Sequence, residues 1–166
     1  MKMKKILPFL MLAGVLASCS DDDDNNSNSS DSDLAGTYNL TSVMAPTAVD
    51  YNMDEVASQE LMDEAICFLD SYITLNDDNT YTSEYNYVLF VSETGCDTEM
   101  GEGTWNEEDG QVTTTNMLIE PNLDNTYTIN NNELVIMYEN YPYPDRDEND
   151  EPVYRTGTVI LTYTKE

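Results

Sequence analysis

The chain has 166 residues, 33 of them acidic and six basic, no histidine, and a formal net charge of −27 at pH 7. So acidic a surface repels phosphate backbones and removes nucleic acid as a partner. The lack of histidine removes Ser-His-Asp triads, Cys-His dyads and the common His-containing zinc sites together. With neither a glycine-rich phosphate loop nor a paired CxxC, no catalytic residue and no cofactor is expected, and the carboxylates are too numerous for any pair to stand out as acid and base.

Met1-Lys2-Met3-Lys4-Lys5 is basic, Ile6 to Ala17 is apolar, and the small pair Ala17-Ser18 follows. Residues 1–18 therefore read as a signal peptide, the apolar run being shorter than the roughly 20 residues that span a bilayer. Leu16-Ala17-Ser18-Cys19 resembles the bacterial lipobox. That resemblance implies a diacylglycerol on the Cys19 thiol and cleavage just before it; the other reading is an ordinary secretory signal with Cys19 as a stray thiol. Loss of Lys2, Lys4 and Lys5 with the signal leaves three basic residues against 33 acidic ones, a net charge of −30. Beyond Cys19, Ser20 to Asp33 consists only of Ser, Asp and Asn. It has nothing to bury, so residues 19–33 are expected to be a disordered tether about 20 Å from end to end. An acidic run just after a lipid-bearing cysteine also resembles the surface-export signal of Bacteroidota lipoproteins. This implies an outer-membrane lipoprotein exposed at the cell surface; a plain Asp-rich spacer would instead only hold the domain off an anionic membrane.

Residues 34–166 have the size of one domain with its own core. Strand signals separated by turn residues dominate it. The first is Gly36 to Val43, followed by Ser71 to Leu75 and, after the turn Asn76-Asp77-Asp78-Asn79, the long run Thr80 to Val91. Further strands are expected over Gly101 to Asn106, Gln111 to Ile119, Asn125 to Asn130, Glu133 to Glu139 and Val153 to Thr164. The turns Glu107-Glu108-Asp109-Gly110 and Asn130-Asn131-Asn132 join neighbours tightly. Between the first two strands, Met53, Val56, Ala57, Leu61, Ala65 and Phe68 recur at helical spacing, which predicts an amphipathic helix over Asp54 to Ile66. Eight hairpin-linked strands avoid exposed edges by closing into an antiparallel up-and-down barrel. Its interior is either filled by side chains or left with room for one small ligand.

Gly36-Thr37-Tyr38, its echo Gly103-Thr104-Trp105, CFLDSYITLNDDNTYT (Cys67 to Thr82) and the closing NNNELVIMYE and TGTVILTYTK resemble the lipocalin-like lipoproteins of Bacteroidota. Tyr38 replaces the Trp usual in the opening strand, and Asn79 stands where the turn usually has Gly. The resemblance implies a lipocalin-like barrel over 34–166 and leaves its ligand unnamed.

With Cys19 lipidated, Cys67 and Cys96 remain, and an even pair in an exported domain reads as a disulfide; two buried free thiols are the alternative. Twelve tyrosines supply either ordinary strand residues or a ligand wall. The ligand-binding candidates are Tyr85, Tyr87, Tyr141 and Tyr143, the last two in a stiff Tyr-Pro-Tyr-Pro segment expected as an extended loop near one barrel mouth. Tyr38 and Trp105 are assigned to the core. Asp145, Asp147 and Asn149 fit the start of an EF-hand-like loop, but Asp150 replaces its glycine and Thr156 its bidentate glutamate, so no metal site is expected. Two functions stand: a surface-tethered, monomeric barrel that binds a small hydrophobic or amphiphilic ligand, or an accessory lipoprotein with a filled barrel that contacts other envelope proteins.

Overall fold

The computed structural model describes residues 34–89, 95–119 and 121–166. The signal segment, Cys19 and the acidic tether lie outside the described residues, as do Phe90 and Val91 at the end of the expected long strand. Strand β1 (Gly36–Val49) is followed by the short β2 (Ser58–Glu60), the single helical turn α1 (Leu61–Glu64) and a 3-10 turn at Ile66–Phe68. Then come β3 (Tyr72–Leu75), β4 (Thr80–Leu89), β5 (Gly95–Glu108) and β6 (Gln111–Asn116), and finally β7 (Leu123–Asn130), β8 (Glu133–Arg146) and β9 (Pro152–Lys165). From β3 to β9 each strand pairs antiparallel with the next, and β1 pairs with both β3 and β9. The result is a closed eight-stranded barrel, with β2 added alongside the far end of β1.

Closure is visible at single residues: Tyr38 faces Ile73 on one side and Lys165 on the other. The core follows the two-residue period of the strands. Ile73 and Leu75, Val112 and Thr114, Leu134 and Ile136, and Val159, Leu161 and Tyr163 are buried at alternate positions. In β1 the period breaks, because a register irregularity between Leu40 and Ser42 shifts burial from Tyr38 and Leu40 to Val43 and Ala45. Tyr38 and Trp105 are core residues, 2% and 3% exposed. The Trp105 indole N–H donates to the Asn76 carbonyl at 2.9 Å, which pins β5 to the β3–β4 turn.

The turn chemistry matches the tight joins. Asp109 and Gly110 both take positive φ, 53° and 77°, as a two-residue hairpin with the twist of its strands requires. Asn79 adopts φ 62°, so asparagine fills the left-handed position where glycine is usual. Gly103 meets a different demand: a Cβ there would run into the Thr115 carbonyl oxygen of the neighbouring strand.

Two local expectations are corrected. The helix expected over Asp54 to Ile66 shrinks to the turn of α1, and Met53 and Val56 are left 57% and 66% exposed. The cause lies in the preceding segment, where side chains take the backbone donors that a helix would need. Asp50 accepts from the N–H groups of Asp54 and Glu55, Asn52 from Asp54, and Asp54 from Val56. Met53 and Glu55 consequently sit at positive φ. Leu61, Ala65 and Phe68 still bury, and two carboxylates tie the turn to the barrel: Glu60, at the end of β2, accepts from the Val43 N–H at 2.7 Å, and the buried Glu64 of α1 from the Tyr51 N–H at 2.9 Å.

The Tyr-Pro-Tyr-Pro segment is strand rather than loop. β8 passes a bulge between Tyr138 and Tyr141 and continues to Arg146, pairing Pro142 with Thr156 and Pro144 with Tyr154. Prolines two residues apart turn their missing N–H groups the same way, and β7 pairs with β8 no further than Val135. The prolines therefore belong to an edge that makes no ladder bonds. β5 is extended likewise, running from Gly95 while its pairing with β6 begins only at Gly103. Two long hairpins, β4–β5 and β8–β9, thus project at the same end of the barrel. Among the described residues no helix is long and apolar enough to cross a membrane.

Cys67 and Cys96 are joined by a disulfide, their Cα atoms 5.2 Å apart. It fastens the 3-10 turn to the start of β5. Closing a loop of this length stabilises by about 3–4 kcal/mol through the unfolded chain. Reduction, or a Cys67→Ser and Cys96→Ser double substitution, should lower the melting temperature by ten degrees or more and leave the strand content in far-ultraviolet circular dichroism intact. An unchanged melting temperature would show that the bridge adds no stability.

Candidate functional site

The long hairpins β4–β5 and β8–β9 flank a cavity of about 350 Å³. Its floor is apolar: Val43 from β1, Leu61 from α1 and Phe68 from the 3-10 turn. Tyr85, Tyr87 and Val88 of β4 form one wall, and Tyr141 to Pro144 of β8 with Tyr154 and Val159 of β9 form the other. All four candidate tyrosines, Tyr85, Tyr87, Tyr141 and Tyr143, come together on this one lining.

Most of the hydroxyls are already engaged. Tyr154 donates to the Val88 carbonyl at 2.5 Å, linking the two hairpins, and Tyr87 donates to Asp97 at 3.2 Å. Tyr143 bonds the Thr47 hydroxyl at 3.1 Å, and the Tyr85 and Tyr141 hydroxyls bond each other. The rings are therefore held in place by their own polar ends and offer the cavity a mostly apolar surface. They also brace one another: Tyr85 and Tyr87 stack at 6.0 Å, and Tyr138 and Tyr141 at 5.0 Å.

A second cavity of about 160 Å³ adjoins the first, among Tyr81, Ser83, Asn116, Asn125, Tyr127 and Tyr163. It has room for a few water molecules. Tyr85, Glu99 and Tyr141 line both cavities and form the partition between them. Burial, reinforced by the neighbouring tyrosines, drives the hydroxyls of Tyr85, Tyr127, Tyr138 and Tyr163 well above the ordinary phenol value of 10.0. The Glu99 charge adds to the rise at Tyr85, Tyr127 and Tyr138.

The acidic loop at 145–150 is internally engaged. The Asp147 carboxylate accepts from the Asn149 and Glu151 N–H groups, and Asp145 is bonded to Arg155. Among the described residues no group of three or more Cys, Asp or Glu is placed to hold a metal ion.

Residues 34–136 match the family model described as a lipocalin-like domain, which covers well over half of the chain and six complete strands of the barrel. The chain belongs to the lipocalin-like domain family. Comparison with curated proteins and with solved structures returned no match. Membership carries the fold and, in general terms, ligand binding by a barrel. The match stops at Ile136, before the β8 bulge, so the lipocalin-like span contains the Tyr85–Tyr87 wall and not the Tyr141–Tyr143 wall.

Sequence reasoning missed the floor residue Leu61 as part of a site, and it missed Tyr154 and Glu99. Leu61 and Tyr154 read as ordinary core and strand positions. Glu99 was one carboxylate among 33 acidic residues, and no spacing singles it out.

The buried hydroxyls give a pH test. A phenol whose pKa is higher in the folded than in the unfolded chain leaves stability intact below pH 10 and erodes it as pH rises from there toward the folded value. Stability should therefore fall steeply above pH 10. Tyrosinate absorbance at 295 nm should then rise in two steps, exposed rings first and the interior set only as the barrel unfolds. A single smooth titration centred near 10, with the fold intact, would contradict this.

Proposed function

We propose that the protein is an outer-membrane lipoprotein, tethered at the cell surface through a lipid on Cys19, whose barrel binds a small hydrophobic or amphiphilic molecule without catalysing a reaction. The observation that carries the binding reading is the tyrosine-lined cavity of about 350 Å³, which exceeds the roughly 300 Å³ at which ligand sites begin. Its rings are fixed by hydrogen bonds, so a ligand would enter a surface that needs little ordering. The tether would hold the cavity clear of the membrane, within reach of small molecules outside the cell.

A ligand at about 100 times its dissociation constant stabilises by about 2.7 kcal/mol, several degrees in melting temperature for a domain of this size. Screening alkylamines, fatty acids, sterols and oligosaccharides by thermal shift should reveal at least one such rise. Tyr141→Trp, which adds volume at the partition, should abolish it while keeping the fold. No rise across all classes would defeat the binding reading.

An accessory role is favoured by one other observation: Met117, Leu118 and Leu123, near the end of β6 and the start of β7, are 59%, 58% and 47% exposed. Clustered apolar surface of this kind marks contacts with other proteins.

Anchoring is tested independently. The wild-type chain should partition with membranes and carry a diacylglycerol by mass spectrometry, and Cys19→Ala should release it in soluble form. Protease added to intact cells should digest the domain if it faces outward. An unmodified, soluble wild type would overturn the lipoprotein reading.

A further inference from the structure

We infer that the ligand of this cavity is a cationic amphiphile, an amine or quaternary ammonium on an apolar body, with Glu99 as its counter-ion. The inference rests on the cavity-binding reading above and narrows it to one charge class.

The first observation is the charge of the lining. Glu99, an exposed side chain, lies at the rim shared by the two cavities, paired across β4–β5 with Tyr85, and makes no hydrogen bond or ion pair with another described residue. Two residues away and in phase with it, Asp97 accepts from Tyr87. No Lys or Arg lines either cavity. The three basic residues of the domain are committed elsewhere. Arg146 donates to the Tyr51 carbonyl and lies over the Tyr51 ring, Arg155 is bonded to Asp145, and Lys165 lies over the Tyr38 ring. A ligand carboxylate in the cavity would thus meet the Glu99 charge at the rim with no lining cation to balance it, whereas an ammonium group would be attracted to it.

The second observation is the aromatic surround. Tyr85, Tyr87 and Tyr141 line the same space as Glu99, and the electron-rich faces of such rings attract a cation. A compact ammonium group with an alkyl or aromatic tail would place its charge between rings and carboxylate and its tail on Val43, Leu61 and Phe68. The net charge of −27 further raises the local concentration of cations around the mouth. A bare metal ion does not fit, since it would find one carboxylate and no cluster of ligands.

Three probes with one tail and different heads decide the question: octyltrimethylammonium, octanol and octanoate, each below its micellar concentration, titrated calorimetrically into the full chain at 0.15 M salt. The ammonium should bind at least tenfold more tightly than octanoate. Glu99→Gln should shrink that ratio at least fivefold, chiefly by weakening the ammonium. The control Glu108→Gln, nine residues further along β5, should change it less than twofold. Equal or tighter binding of octanoate by wild type overturns the inference, and this comparison needs no variant to fold. A ratio untouched by Glu99→Gln, or lowered equally by Glu108→Gln, also overturns it, because the preference would then come from the surface field. If octanol binds but charge makes no difference, the cavity reading survives and the cationic inference fails. If no probe binds, both fail.

Discussion

The structure depends on β1 being paired along both edges. Gly36 to Asn39 bonds to β3 while Tyr38 to Met44 bonds to β9, so the first and last strands of the domain meet at the same residues. Without that pairing the sheet would keep two open edges, and its inward-facing apolar residues would have no opposite wall to bury against. Closure turns a row of half-amphipathic strands into a single enclosed core. It also explains why buried Tyr38, at the meeting point, anchors its hydroxyl on the Leu34 carbonyl at 2.7 Å.

Within the closed barrel, function-bearing space comes from unequal strand lengths. β6 and β7 are short, whereas β5, β8 and β9 each run 14 residues. The long hairpins therefore outrun the core and stand as two walls with a gap between them. Leu61 and Phe68 close the bottom of that gap, the disulfide fixes their turn to β5, and the Tyr154–Val88 bond holds the walls together. The cavity is a consequence of this architecture rather than a defect in packing.

Charge distribution follows the same division. Carboxylates dominate the outside, while the interior combines aliphatic side chains with tyrosines whose hydroxyls bond one another, asparagine, threonine and the backbone. Glu64 is buried beneath the Tyr51 backbone, and Glu99 stands at the rim of both cavities. By its position Glu99 gives an otherwise neutral aromatic site a sign.

The sequence by itself determined the strand order, the tight turns and the barrel class, because alternation, Asp-Gly and Asn-rich joins act within a few residues of themselves. It also made the Cys67–Cys96 pair legible, since few cysteines left few choices. The candidate tyrosines could be named one by one, but their meeting on one lining depends on the β8 bulge and on β4 lying opposite β9, neither of which is a local property. The helix over Asp54 to Ile66 was misread for a related reason: apolar spacing was right, yet the Asp50, Asn52 and Asp54 side chains captured the backbone donors first. The Tyr-Pro repeat was read as loop because proline is excluded from paired strand edges, and only the tertiary structure, by ending β7 early, left an edge where proline costs no hydrogen bond. Glu99 was invisible among its many equals. Only the register that sets it beside Tyr85, at the rim of two cavities, distinguishes it from the other exposed carboxylates.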